Sequence, residues 1–231
     1  MTLRLAVIGA NGKVATKLMK RLAQLKNEFD TVAFIRNEAQ APKFTKLGIK
    51  YSTEIDLTNT PVEGITEALR GFDAIVFSAG AGGKGLDLTF SVDLDGAIKV
   101  KESIENNNSN QRLILVSAIK AKDRSYWWDT DLRSYYIAKK YADQIIESSD
   151  INYTILQPGY LLDTDATGKI ADPKKVNNYA DTVKGQHEKI SIPRDDVALT
   201  IIESLRNKNT NRKVIPLISG DIPISEALKN L

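Results

Sequence analysis

Two tyrosine–lysine pairs in this chain could move a proton. Tyr135 and Lys139 lie four residues apart in a run that reads as a helix, and Tyr136 and Lys140 repeat the spacing one residue on. Residues four apart share a helical face. A phenol with its ordinary pKa near ~10 exchanges its proton poorly at neutral pH. A neighbouring ammonium favours the phenolate and lowers that pKa. Either pair therefore suits proton transfer to or from an oxygen atom. A second group of residues points to binding. Gly9-Ala10-Asn11-Gly12-Lys13-Val14-Ala15 follows the apolar run Leu5-Ala6-Val7-Ile8 and opens a helical pattern. Glycine lets the chain turn tightly and lets backbone N–H groups approach a pyrophosphate. The helix start adds about half a positive charge there.

Composition removes other chemistries. The 231 residues contain no cysteine and one histidine, His187. Disulfides, thiolate metal sites, cysteine nucleophiles and most zinc centres are excluded. His187 sits in a polar stretch and reads as solvated or as a substrate contact. A second glycine-rich run, Gly80-Ala81-Gly82-Gly83-Lys84-Gly85, resembles a P-loop, but Ser78 and Gly85 stand where glycine and Ser or Thr are required. The 32 basic and 29 acidic side chains are interspersed, so no nucleic-acid partner is expected. No apolar run nears the ~18 residues of a membrane span, so no membrane partner is expected and the default location is cytoplasmic.

These groups need a scaffold. Apolar runs at Leu3–Ile8, Thr31–Arg36, Ile49–Thr53, Ala74–Phe77, Leu113–Val116, Tyr153–Leu156 and Val214–Ile218 show little polar alternation and read as strands buried on both faces. Helical patterns lie between them, near Lys13–Leu25, Gln40–Leu47, Val62–Leu69, Leu88–Glu105, Leu132–Ser148 and Asp195–Leu205. The alternation predicts an α/β fold with a doubly wound, Rossmann-type, mostly parallel sheet of about seven strands and helices on both faces. One domain spans 1–231. Asn106–Asn110 reads as a polar loop. Residues 160–190, with Asp163, Asp165, Gly168, Asp172 and Pro173, read as an irregular segment on the substrate side, or as a solvent-exposed insertion. Asp195 and Asp196 suit the first turn of a helix.

In such a fold the tip of the second strand meets the adenine ribose, where an acid selects NAD and an arginine accommodates the 2′-phosphate of NADP. Here the tip carries Arg36 and no acid. NADPH is therefore expected over NADH, although Arg36 also suits a solvated surface. Asp56 and Leu57 follow the third strand, where a carboxylate could accept from the adenine amine. Ser78, Ala79 and Gly80 follow the fourth, where small residues let the backbone pass close to the cofactor.

Together these residues resemble the atypical branch of the short-chain dehydrogenase/reductase superfamily, small NAD(P)-binding proteins similar to the binding half of sugar-nucleotide epimerases and dehydratases. The markers are Gly9-x-x-Gly12-x-x-Ala15, Arg36, Asp56-Leu57, Ser78-Ala79-Gly80, Val116-Ser117-Ala118, Tyr135-Tyr136-Ile137-Ala138-Lys139, Gln157-Pro158-Gly159 and Arg194-Asp195-Asp196-Val197-Ala198. The resemblance implies Tyr135 as the acid–base group, because Ala138 supplies the small residue before the lysine. It implies that Lys139 bonds the nicotinamide ribose, Ser117 holds a substrate carbonyl, and Pro158-Gly159 turns beside the carboxamide. Gly9, Asn11, Gly12, Lys13, Val14, Arg36, Asp56, Leu57, Ser78, Ala79 and Gly80 complete the cofactor seat. The expected function is NADPH-dependent reduction of a small carbonyl or similar acceptor. The alternatives are an NADPH-binding sensor or regulator without turnover, and an epimerase-like enzyme. The expected partner is a small-molecule substrate, and the expected state is a monomer or weak homodimer. Tyr126-Trp127-Trp128 fits a stacking wall, a packed lid or a subunit contact.

Overall fold

Leu5, Ala6, Val7 and Ile8 are buried in strand β1 (Leu3–Ile8), because a strand without polar alternation needs cover on both faces. The computed structural model describes residues 2–107 and 110–231, so Asn108 and Ser109 of the loop expected at Asn106–Asn110 lie outside the described residues. β1 pairs in parallel with β2 (Phe29–Phe34) on one side and β4 (Ala74–Phe77) on the other. With β3 (Lys50–Ser52), β5 (Arg112–Val116), β6 (Asn152–Pro158) and β10 (Lys213–Leu217) they form one seven-stranded sheet of order β10-β6-β5-β4-β1-β2-β3, parallel throughout. The strand order reverses between β1 and β4, and ligands bind at the carboxyl ends of strands at such a point.

Side chains of β1 point alternately into two cores. Leu5 and Val7 join Leu18 of α1 (Lys13–Leu22) and Ile201 of α9 (Arg194–Arg206). Ala6 and Ile8 join Ile65 of α3 (Val62–Ala68), Val100 of α5 (Gly96–Asn106) and Ile146 of α7 (Arg133–Glu147). A smaller aromatic cluster centres on Trp127 and Tyr136 and packs on Val176 and Ala180. Among the described residues no helix is long and apolar enough to cross a membrane.

Residues 160–190 are more regular than expected. Tyr160–Leu162 forms β7, which pairs in parallel with β9 (Ser191–Pro193), and Lys169–Ile170 forms β8, which pairs antiparallel with β11 (Ile222–Pro223). Pro173–Thr182 is a helix, α8, capped by Asp172, whose side chain accepts from the Lys174 N–H. Asp followed by Pro opens helices as readily as turns, because Asp caps the first N–H groups and Pro presets φ. The helix expected at Leu88–Glu105 is also altered. A π-helical stretch, Thr89–Asp95, separates α4 (Leu86–Leu88) from α5. β2 ends at Phe34, so Arg36 lies beyond the strand in which it was expected.

Candidate active site

The glycine turn stands at the reversal point between β1 and β4. Gly9 has a φ of 76°, and a Cβ added there would lie 2.6 Å from the Ala79 backbone. Only glycine lets these two loops come this close. The Gly12 N–H donates to the Gly9 carbonyl at 2.9 Å, and Gly12 then caps α1 without any side-chain bond. The first turn of α1 contains no acid, so its free N–H groups and dipole remain available to an anion. Lys43, missed by the sequence reading, donates to Asn11 Oδ1 and Thr16 Oγ1 at 2.7 Å each and braces this turn.

A cavity of about 550 Å³ runs from this turn along the strand ends. Gly9, Asn11, Gly12, Lys13, Val14, Arg36, Asp56, Leu57, Ser78, Ala79 and Gly80 line it, and Ser117, Tyr135 and Lys139 line the same cavity. Arg36 is exposed. Asp56 accepts from Thr58 N–H, Thr58 Oγ1 and Asn59 Nδ2 at 2.7–2.9 Å. These bonds, with Arg36 nearby, hold its carboxyl below the usual range. The cradle therefore combines an uncapped helix start and a close backbone approach, which suit a diphosphate, with an exposed guanidinium further along the same cavity.

Tyr135, Lys139 and Asp143 form one stripe along α7, and the last two are buried. Lys139 Nζ lies 5.5 Å from the Tyr135 ring centre, 3.4 Å from the Val116 carbonyl and 3.0 Å from Asp93 Oδ1. Asp93, in the π-helical stretch, also accepts the Ala81 N–H at 2.7 Å, so it ties the glycine loop after β4 to α7. Desolvation pulls Lys139 down, but Tyr135, Asp93 and Asp143 more than offset it and the ammonium persists. Lys139 does pull the phenol pKa down, as expected, but the net shift is upward. Burial raises Tyr135, and Asp93 and Asp143 oppose the pull of Lys139. At neutral pH Tyr135 is thus a protonated acid, suited to giving a proton rather than taking one.

Asp143 accepts from Gln157 Nε2 at 2.8 Å, and burial pushes its carboxyl up to about 7. Ser117 Oγ is buried beside it, close enough to pull on that carboxyl, yet completes no hydrogen bond of good geometry with a described residue. The titration of Asp143 has a stability consequence. Between its unfolded value near ~4 and its folded value the native state holds the extra proton, so stability falls as pH rises. Above about 7 the native carboxyl ionises as well and this contribution is gone. Thermal melts from pH 5 to 8 are expected to show a decline that Asp143→Asn flattens. An unchanged slope in the variant would assign the decline to another group.

Other expected residues lie elsewhere. Pro158 and Gly159 do not line the cavity. A Cβ on Gly159 would stand 1.9 Å from the Ile190 carbonyl, so this glycine serves packing against the 187–190 turn. Tyr136 is buried and stacks on Trp127 at 5.7 Å, which removes it from the cavity. Trp127 is fully buried and donates its indole N–H to the Ala121 carbonyl, whereas Trp128 is exposed. His187 stacks on Tyr160, with Nε2 2.7 Å from the phenol oxygen. Neither the aromatic run nor His187 lines the cavity, and of residues 160–190 only Leu161 does. Asp93, Asp143 and Arg194 were missed as site residues. Tyr135, Lys139 and Asp143 repeat the four-residue spacing, which was the available signal for Asp143.

A doubly wound sheet with a glycine turn and a cavity at its reversal point defines a dinucleotide-binding protein. The chain belongs to the NAD(P)H-binding family, whose profile matches residues 9–208. It is 41% identical to the UPF0659 protein YMR090W of Saccharomyces cerevisiae over 99% of both chains. It is 39% identical to a Bacillus subtilis protein named as an uncharacterized sugar epimerase, YhfK, over 99% of this chain and 100% of that one. Among solved structures, a Bacillus halodurans protein provisionally named as an NAD-dependent epimerase/dehydratase superposes with a TM-score of 0.84 at 32% identity, covering 99% of this chain and 100% of that chain. The oxidoreductase ylbE of Lactococcus lactis superposes with a TM-score of 0.81 at 30% identity, covering 99% and 96%.

Proposed function

We propose that the protein is an NADPH-dependent reductase of a small carbonyl or similar acceptor. The observation that carries this reading is the shared cavity, in which Tyr135, Ser117 and Lys139 lie with the glycine turn and Arg36. When bound, the reduced nicotinamide supplies the hydride. Ser117 Oγ, free of a well-formed bond, donates to the substrate oxygen and orients it. Tyr135 gives its proton to that oxygen as negative charge develops there. Lys139 stays charged, held by Asp93, and eases the loss of that proton. The 30% identical relative named as an oxidoreductase supports the same direction.

Arg36 favours NADPH because a guanidinium–phosphate contact is a charge-assisted pair. Paired calorimetric titrations are expected to give NADPH binding at least ~10-fold tighter than NADH, about 1.4 kcal/mol. Arg36→Ala should remove most of that difference and leave NADH binding nearly unchanged. Equal binding of both cofactors by the unaltered protein would overturn the NADPH preference. Absence of NADPH oxidation with any carbonyl acceptor would favour a sensor that binds without turnover. One observation favours a second enzyme reading, the sugar-epimerase name of the B. subtilis relative. An epimerase would return its hydride to the substrate, leave no net NADPH consumption and retain nucleotide through purification.

A further inference from the structure

Three consecutive residues at the start of α9 do three different things. Asp195 pairs with Arg21, with Nε–Oδ1 at 2.6 Å and Nη2–Oδ2 at 2.8 Å. Asp196, fully buried, accepts from the N–H groups of Thr167 and Gly168 and from Thr167 Oγ1, at 2.8–3.0 Å. Both are structural ties. Arg194 differs, because its side chain lines the cavity. Its Nη1 donates to Asp163 Oδ1 at 2.8 Å, and Lys13 Nζ lies 3.5 Å from Asp163 Oδ2. Lys13 also lines the cavity and is the first residue of α1. Two cations from two helix starts thus share one carboxylate.

That carboxylate is poorly anchored. The Asp163 side chain is 64% exposed, against 16% for Arg194. It follows β7, which is held to β9 through Leu162 opposite Pro193, and precedes Thr167, which Asp196 holds. Between these anchors residues 163–166 have no regular structure. An exposed pair of this kind contributes about 0–1 kcal/mol and is screened by salt. A phosphate or carboxylate held by the Arg194 fork, Lys13 and the positive end of α1 gains several charge-assisted bonds together.

We propose that Lys13 and Arg194 form an exchangeable anion site at the mouth of the cavity, occupied by the Asp163 carboxylate until a phosphate or carboxylate group of a ligand replaces it. The proposal rests on the cavity being the cofactor seat. The incoming group has one chemistry and two possible sources, the cofactor diphosphate and an acid group on the substrate. The two substitutions have opposite signs. Asp163→Asn removes the competitor and frees both cations, whereas Arg194→Gln removes the fork.

The test is calorimetric titration of the full chain, Asp163→Asn, Arg194→Gln and the double variant with NADPH, with inorganic pyrophosphate, and with succinate on NADPH-saturated protein, all at low ionic strength. If the cofactor supplies the anion, Asp163→Asn is expected to tighten NADPH and pyrophosphate by ~3-fold or more and Arg194→Gln to weaken them by ~10-fold, the scale of one charge-assisted contact. If the substrate supplies it, NADPH stays unmoved and succinate shifts in those two directions. In either case Asp163→Asn gains nothing in the Arg194→Gln background, and its gain shrinks as salt rises. All affinities unmoved, or both single variants moving the same way, would overturn the proposal. Asp163 is exposed, so Asp163→Asn gives a folded test even if Arg194→Gln melts. A pyrophosphate response without NADPH binding would keep the anion site and remove the cofactor reading.

Discussion

Tyr135→Phe is expected to lower turnover about a hundredfold to ten-thousandfold, the range of a positioned acid, while NADPH binding changes by no more than about twofold. The hydroxyl is the only group removed. The ring that packs on Tyr136, with centres 5.7 Å apart, remains. Burial keeps Tyr135 protonated at neutral pH, so the variant loses a proton donor and not a standing charge. Reduction should persist at higher pH until the phenol or Lys139 loses its proton, giving a single alkaline fall in kcat. Tyr136→Phe is the matched control, because that side chain packs in the aromatic core and does not line the cavity. Its turnover should equal that of the unaltered protein. Turnover unchanged in Tyr135→Phe, measured as NADPH oxidation with any acceptor that is reduced, would remove Tyr135 from the chemistry.

Asp93→Ala is expected to cost about 3–5 kcal/mol of folding stability, because removing one partner of a buried pair leaves the other charge uncompensated. Asp93 is 2% and Lys139 3% exposed, so both charges are largely withdrawn from bulk water. The Ala81 N–H loses its acceptor at the same time. Urea unfolding of three variants separates these effects. Asp93→Asn should cost less, since its amide oxygen can still accept from Ala81. Adding Lys139→Met to Asp93→Ala should recover much of the loss. A cost below ~1 kcal/mol for Asp93→Ala would mean that Asp93 is not the group that compensates Lys139, which would then be neutral or held by Asp143.

Local signals made most of the scaffold readable. An unalternating apolar run, a glycine turn and a helical pattern are all short-range features, so β1, the turn and α1 could be placed from residues 3–22. Arg36 was expected at the tip of the second strand, but β2 ends two residues before it and Arg36 lines the cavity from the loop that follows. The buried acids were harder. Asp143 extends the Tyr135–Lys139 stripe by one further step of four, but an acid on a helix ordinarily reads as solvated. Asp93 sits in Ser91-Val92-Asp93-Leu94-Asp95, where two acids two apart look alike. The π-helical stretch decides which of them turns inward, and i→i+5 hydrogen bonding leaves no period-3.6 signature in the sequence. Arg194 read as part of a helix start because its partner, Asp163, is 31 residues away in sequence. The aromatic run divides between its readings, since Trp127 is packed in the core and adjacent Trp128 is exposed.

That asymmetry makes the chain its own optical reporter. The protein has two tryptophans. Trp127 is sealed against Tyr136, the immediate neighbour of Tyr135 on α7, at an interplanar angle of 5°. Trp128 is 42% exposed, with the guanidinium groups of Arg124 and Arg133 5.5 and 4.6 Å from its ring centre. An aqueous quencher reaches the second indole and not the first. The unquenched emission therefore follows the placement of α7, so a displacement of the helix that carries Tyr135 can be watched in the unaltered protein without a label.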